Sequence, residues 1–238
     1  MKAAREALQS NPEAGTSFWA HEQSQGRGRK PGRTWESPPA SSLLVSILLP
    51  ETDIPAQPVA SLTLGLAVAY TIEEIFKKSK PVPRLNIKWP NDILIEGKKT
   101  AGIICETGRS PAGTRYCIAG IGINAFSKPP AEATRIPASC LQDVCAPPPL
   151  EELLSALLRQ IQLVINLDGP TIVQEITKRL EHLGQPMIWH PDIESRAQPI
   201  RGTLTGISPL GEAILQNLSG NQTISCGELR PDEKNLIY

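Results

Sequence analysis

A chain of 238 residues with 40% apolar side chains can bury a sizeable core, as one large domain or as a medium domain with a small appendage. Its 24 lysines and arginines balance 24 aspartates and glutamates, which leaves no global field to hold a nucleic acid or an anionic membrane. Five cysteines without a C-x-x-C, in the company of three histidines, support neither a disulfide framework nor a zinc site and suit a reducing, cytoplasmic setting.

KAAREALQS at 2–10 has the composition of a helix and ends in the turn-like NPEAG. Residues 1–25 lack the apolar core of a signal peptide. TSFWAHEQ at 16–23 reads as a strand that runs directly into GRGRKPGRTW, four cations among glycines and a proline. SSLLVSILLP at 41–50 is a continuous apolar strand, and 59–78 is apolar enough for a buried helix. Its most apolar stretch, 60–72, is shorter than the ~20 residues of a membrane crossing, so no membrane partner is expected. Residues 84–90 and 92–107 form strands with a turn beginning at Glu96-Gly97, and 114–124 adds a strand carrying Gly120 and Gly122. Together these strands bring Lys88, Lys99 and the two glycines to one sheet. The proline-rich stretch 127–149 reads as a surface loop, followed by helices over 150–167 and 171–183. From Gly184 the texture becomes short alternating segments, the pattern of a small antiparallel barrel. Alternating helices and strands before it favour a mixed α/β core.

The cationic strip is not a Walker A loop, because its glycine spacing is wrong and Arg33-Thr34 stands where lysine and serine or threonine are required. A solvated loop and a nucleic-acid arm are both compatible with such a strip, although zero net charge and 4% aromatic residues leave an arm no surface to continue onto. Glycine-exposed backbone N–H groups beside guanidinium forks also suit a bound polyphosphate.

Three segments in order, EQSQGRGRKPGRTW, KWPND with GKKTAGIICE, and GIGIN, resemble the biotin protein ligase family over about residues 2–125. More loosely, GTLTGISPLGEAILQ and SCGEL resemble that family's small SH3-like barrel. The resemblance implies an α/β (α+β) fold with a mixed-sheet catalytic domain of the class II synthetase type over 1–184 and the barrel over 185–238. It implies that biotin and MgATP give biotinoyl-adenylate and pyrophosphate, and that biotin then passes to a lysine of a biotin carboxyl carrier protein. Lys99 would bridge the biotin carboxylate and the α-phosphate, and Arg29 with Arg27 would close over the adenylate. Gln23, Gly26, Gly102, Gly120 and Gly122 would contact biotin, the glycines by close backbone approach. Trp35, Lys88, Asn91, Asp92 and Asn124 would face the nucleotide, with Asp92 as a magnesium ligand. Taken without the motif, Lys99 would be a hairpin-turn lysine and Asn91-Asp92 a simple turn. No nucleic acid is expected as partner, and the protein would be a monomer or homodimer.

Three features depart from the family pattern. Pro31 lengthens the strip by one residue, which alters the setting of Lys30 and Arg33. The Ser-Thr-Asn strand that precedes the first helix in the family is missing before Met1, so either the start lies upstream or part of the biotin wall is absent. No helix-turn-helix segment precedes the core, so repressor activity is not expected. A lipoate- or octanoate-type ligase and a non-catalytic biotin-binding homologue are the alternatives.

Overall fold

The computed structural model describes residues 1–54, 59–77, 80–134, 136–192, 195 and 197–233. The first helix, α1 (Lys2–Ala7), tightens into a 3-10 turn at Leu8–Ser10, where left-handed Asn11 (φ 48°) ends it. Strand β1 (Ser17–Ala20) precedes the cationic strip, and β2 (Ser42–Pro50) follows it. Seven consecutive residues from Leu43 to Leu49 are buried, as expected of a strand covered on both faces. Helix α2 (Val59–Phe76) packs behind β3 (Leu85–Lys88), β4 (Asp92–Ile95) and β5 (Lys98–Arg109), and β6 (Arg115–Asn124) follows. By length and composition α2 could cross a membrane, yet 78% of it lies buried inside the protein. Lys78, the last residue expected in this helix, lies outside the described residues.

These strands form one sheet in the order β1-β2-β6-β5-β4-β3. The expected mixed sheet has antiparallel ladders, and parallel pairing among the described residues is confined to isolated bridges at Ile87–Leu180 and Lys99–Ala138. One face packs on α2, supported by α3 (Leu150–Ile165) and α4 (Gly169–Lys178). At Gly65 the helix packs against Ile93 and Ile103 of the sheet. The other face is covered at one end by α1, through Ala4 and Leu8 against Leu48, Tyr116 and Ile118.

Helix α4 begins where Asp168 accepts from the Thr171 N–H at 2.7 Å, an N-cap that satisfies an otherwise orphaned donor. It ends five residues before the expected 183. There the Ile87 N–H donates to the Arg179 carbonyl at 2.7 Å and the Glu181 N–H to the Ile87 carbonyl at 2.9 Å, so β3 draws the chain into extended pairing. Glu73 and Glu175 hold the Arg179 guanidinium at the same point.

The C-terminal segments form a second, antiparallel sheet from β7 (Pro186–His190), β8 (Ile200–Ile207), β9 (Ala213–Asn217), β10 (Gly220–Ile224) and β11 (Glu228–Pro231), in the order β10-β9-β8-β7-β11. This is the expected small barrel-like unit, and residues 234–238 of it lie outside the described residues. It docks onto the main sheet where the Trp89 indole N–H donates to the Gly211 carbonyl at 3.0 Å. Gly211 is required at that contact, since its φ is 78° and a Cβ would lie 2.7 Å from Val59.

Candidate active site

Sheet register assembles the floor of the site. Lys88 pairs with Asp92, Asp92 with Gly102, and Gly102 with Gly122, so four directly opposed residues share one face across four strands. Two of the four have no side chain, and the row becomes a trough with charged groups at one end.

Lys99 reaches that face through an irregularity. Strict alternation from Gly102 would place residue 99 on the opposite, helix-covered face. The β4–β5 ladder shifts between Ile93 and Leu94, leaving Thr100 as the extra residue, and this bulge turns Lys99 onto the side of Gly102. Its Nζ lies 2.7 Å from Asp92 Oδ1, and the pair is 30% and 14% exposed.

The strip between β1 and β2 is folded as a tight hairpin. Trp35 N donates to Gly26 O at 3.1 Å, Gly28 N to Arg33 O at 2.7 Å, and Arg33 N to Lys30 O at 3.1 Å. Its glycines permit this closure: a Cβ at Gly26 would lie 2.0 Å from the Trp35 carbonyl oxygen, and one at Gly28 2.6 Å from the Arg33 Cβ. Three of its four cations are engaged as well. Arg27 pairs with Glu106 at 3.6 Å, Arg29 donates to the Gly227 carbonyl at 2.7 Å, and Lys30 lies 3.2 Å from Asp192 and 3.5 Å from Glu228. The Arg29 and Lys30 contacts fasten the strip to the C-terminal sheet.

Trp35 ends the hairpin and lays its indole in the trough. A Cβ at Gly122 would come within 2.7 Å of the ring and one at Gly102 within 3.0 Å. The Lys99 ammonium stands 5.6 Å from the ring centroid. Gly120 supports a different neighbour, the Met1 side chain, whose sulfur would be 2.7 Å from a Cβ there. In this state the three glycines thus underlie Trp35 and Met1. The indole N–H of Trp35 is buried without a hydrogen-bond partner.

Beside the indole lies a cavity of about 340 Å³, within the range of small-molecule sites. Arg29, Trp35, Lys88, Asn91, Asp92, Lys99 and Asn124 all line it, as do Lys30 and Arg33. Gln23, Gly26 and Arg27 do not: Gln23 is exposed at the root of the hairpin, its Oε1 beside Gly26. Asn91 donates its amide to the Ile103 carbonyl at 3.0 Å and so fixes the β3–β4 turn as well as lining the cavity. Asn124 is 2% exposed. It donates to the Ser139 carbonyl at 3.0 Å, while its Oδ1 is buried with no donor. An unpaired buried acceptor on a cavity wall costs stability that a ligand N–H or O–H would recover.

Three contributions were illegible in the sequence. Glu106 gathers both Arg5 and Arg27. Glu228 lines the cavity from the C-terminal sheet. The stretch expected to be a surface loop supplies Pro129, Thr134, Ile136 and Ala138 to the wall, and Ser139, Cys140 and Leu141 are buried. SCGEL did carry Glu228, but nothing local could reveal a partner 198 residues away.

Among the described residues no three His, Cys, Asp or Glu side chains gather as a metal site. The carboxylates on the cavity wall are those of Glu36, Asp92 and Glu228, a set compatible with a divalent ion that takes one or two protein oxygens and draws its other ligands from water or substrate.

Sheet, cationic hairpin and C-terminal barrel together have the architecture of a cofactor–protein ligase. A solved biotin protein ligase from Aquifex aeolicus, in complex with biotin and ATP, superposes with a TM-score of 0.79 at 28% identity, over 96% of this chain and 94% of that one. The biotin–acetyl-CoA-carboxylase ligase of Paracoccus denitrificans is 30% identical over 234 residues, 94% of each chain. The bifunctional ligase/repressor BirA of Bacillus subtilis is 40% identical over 128 residues, 54% of this chain and 38% of that protein. The model of the biotin/lipoate A/B protein ligase family matches residues 2–124. The chain belongs to this family, and within it groups with the biotin protein ligases.

Proposed function

We propose that the protein activates biotin with ATP and transfers it to a lysine of a biotin carboxyl carrier domain. The observation that carries the reading is the bulge that sets Lys99 beside Asp92 at the charged end of a glycine-floored trough, under a hairpin bearing arginines. In the first step a biotin carboxylate oxygen attacks the α-phosphorus, the α–β bridging P–O bond breaks, and pyrophosphate leaves. Two anions must approach, so cations at the forming bond lower the barrier. Lys99 supplies one by exchanging Asp92 for the carboxylate and α-phosphate. Arg29 and Arg27 exchange the Gly227 carbonyl and Glu106 for the adenylate.

Magnesium bound to the phosphates would neutralise charge on the leaving pyrophosphate, with Asp92, released by Lys99, as its protein ligand. In the second step the acceptor amine attacks the acyl carbon, AMP departs with the bonding pair, and the amine proton passes to solvent. Trp35 covers Gly102 and Gly122, so biotin reaches those glycines only when the ring moves. The indole therefore leaves Gly102 and Gly122 for biotin and moves toward the nucleotide. Asn124 Oδ1 then gains a nucleotide donor. The main-sheet unit, 1–184, carries the activation chemistry, and the barrel, 185–238, fastens the strip and positions the acceptor.

Incubation with labelled biotin, MgATP and a biotin carboxyl carrier domain tests this directly. Stoichiometric pyrophosphate release with label on one acceptor lysine is expected. Preferential use of lipoate or octanoate would replace biotin as the substrate, and binding of biotin without pyrophosphate release would make the protein a non-catalytic homologue.

A further inference from the structure

The backbone of Lys99 stands at a gap in the sheet. The ladder between β5 and β6 begins only at Ala101–Ile123, so the side of Lys99 that faces β6 has no strand to pair with. The segment 137–139 fills the gap: Lys99 N donates to the Pro137 carbonyl at 2.8 Å, and Ser139 N donates to the Lys99 carbonyl at 2.9 Å. The carbonyl of Ser139 in turn accepts from the Asn124 amide at 3.0 Å. One buried residue, Ser139, thus touches the lysine that faces the phosphates and the asparagine whose free acceptor faces the cavity.

A single carboxylate oxygen holds that segment in shape. Asp143 Oδ2 accepts from the Ser139 hydroxyl at 3.0 Å, the Cys140 N–H at 3.2 Å and the Lys128 ammonium at 2.6 Å. Ser139 and Cys140 are 2% and 4% exposed, whereas the Lys128 side chain is 43% exposed. The donors in the 139–140 turn are therefore shielded, whereas the Asp143 carboxylate, 33% exposed, and its ammonium bond are open to water. Asp143 itself lines no part of the cavity.

We infer that Ser139 and Asp143 are positioning residues for adenylate formation, acting through the backbone of Lys99 and the side chain of Asn124. The inference rests on the catalytic assignment of Lys99 made above. Removing the Asp143 carboxylate frees the 137–140 segment, and the lysine then samples positions away from the line between the two anions. Displacements of about 1 Å at a reacting group cost up to ~100-fold in rate.

The test compares Asp143→Ala, Asp143→Asn and Lys128→Ala in the full chain, by pyrophosphate release and by amide hydrogen exchange without ligand. Asp143→Ala should lower kcat at least about tenfold while KM for biotin changes less than about threefold, the pattern of a lost transition-state contact. Asp143→Asn, which keeps an acceptor oxygen, should recover most of the loss, and Lys128→Ala should stay within about twofold of the parent. Exchange at the Lys99 and Ser139 amides should accelerate in Asp143→Ala, with the amides of Ile118 to Ile121 unchanged. The inference is overturned if Asp143→Ala keeps its kcat, if Lys128→Ala is equally damaged, or if exchange accelerates throughout the sheet. Accelerated exchange at Lys99 combined with an active Lys99→Ala protein would instead refute the assignment of Lys99 and leave the coupling standing.

Discussion

Lys99→Ala separates the two roles that one ammonium plays. In the ligand-free protein it neutralises Asp92, 2.7 Å away and 14% exposed, and stands over the Trp35 ring. Truncation strands the carboxylate at a cost of about 1–3 kcal/mol and forfeits a cation–π contact worth about 0.5–1 kcal/mol. The cavity admits water to Asp92, so the lower half of that range applies, and about 2 kcal/mol corresponds to roughly 4–8 °C of melting temperature for a chain of this size. The fold survives. Catalysis loses more, because removing one preorganised stabiliser of developing charge costs ~100-fold or more, near 3 kcal/mol. The stranded Asp92 also adds a negative charge where phosphates must bind. At 4 Å and an effective dielectric of 20 one such charge is worth up to about 4 kcal/mol before screening, so KM for ATP rises as kcat falls. Pyrophosphate release at saturating biotin, measured beside a thermal melt, gives both quantities. A folded Lys99→Ala protein that releases pyrophosphate within about tenfold of the parent rate would refute the reasoning.

Arg29→Gly removes the bond to the Gly227 carbonyl together with the guanidinium proposed to hold the adenylate, so the intermediate should form but escape faster and label bystander amines; retention equal to the parent's would refute this. Acid stability should depend on two exposed-side clusters. Burial alone would raise Asp143, but Lys128, the Cys140 N–H and the Ser139 hydroxyl hold it down to about 2. Hydrogen bonds from Lys178 and then Arg179 hold Glu175 down to about 2 as well. A carboxylate depressed in the folded state stabilises it above the ordinary value near 4 and loses that contribution as pH falls toward about 2. The melting temperature should therefore fall across that window, less steeply in Glu175→Gln. An identical slope in that variant would remove Glu175 from the account.

The sequence alone determined the elements and the kinds of residue the site would use. Unbroken apolar runs made β2 and α2, turn residues at Glu96-Gly97 closed β4 on β5, and three spaced motifs placed glycines and cations on adjacent strands. Such signals are local, carried by the periodicity of one strand or helix and by the geometry of one turn. The tertiary structure decided which face each residue took and what it met. The bulge at Thr100 that aims Lys99 depends on how β4 pairs with β5, because alternation by itself sends residue 99 to the core. The glycines of GRGR read as a means of exposing backbone N–H groups, but in the fold Gly26 and Gly28 are where the two arms of the hairpin pack closely together. The 127–149 stretch had the composition of a loop and became a wall, since its polar backbone groups found Lys99 and Asn124 across the gap beyond β6. Arg29, Lys30 and Glu228 meet where the C-terminal sheet, docked in part through Trp89 and Gly211, lies beside the strip. Contacts between residues nearly two hundred positions apart leave no periodic trace in a single chain, and only the packed core brings them within hydrogen-bonding distance.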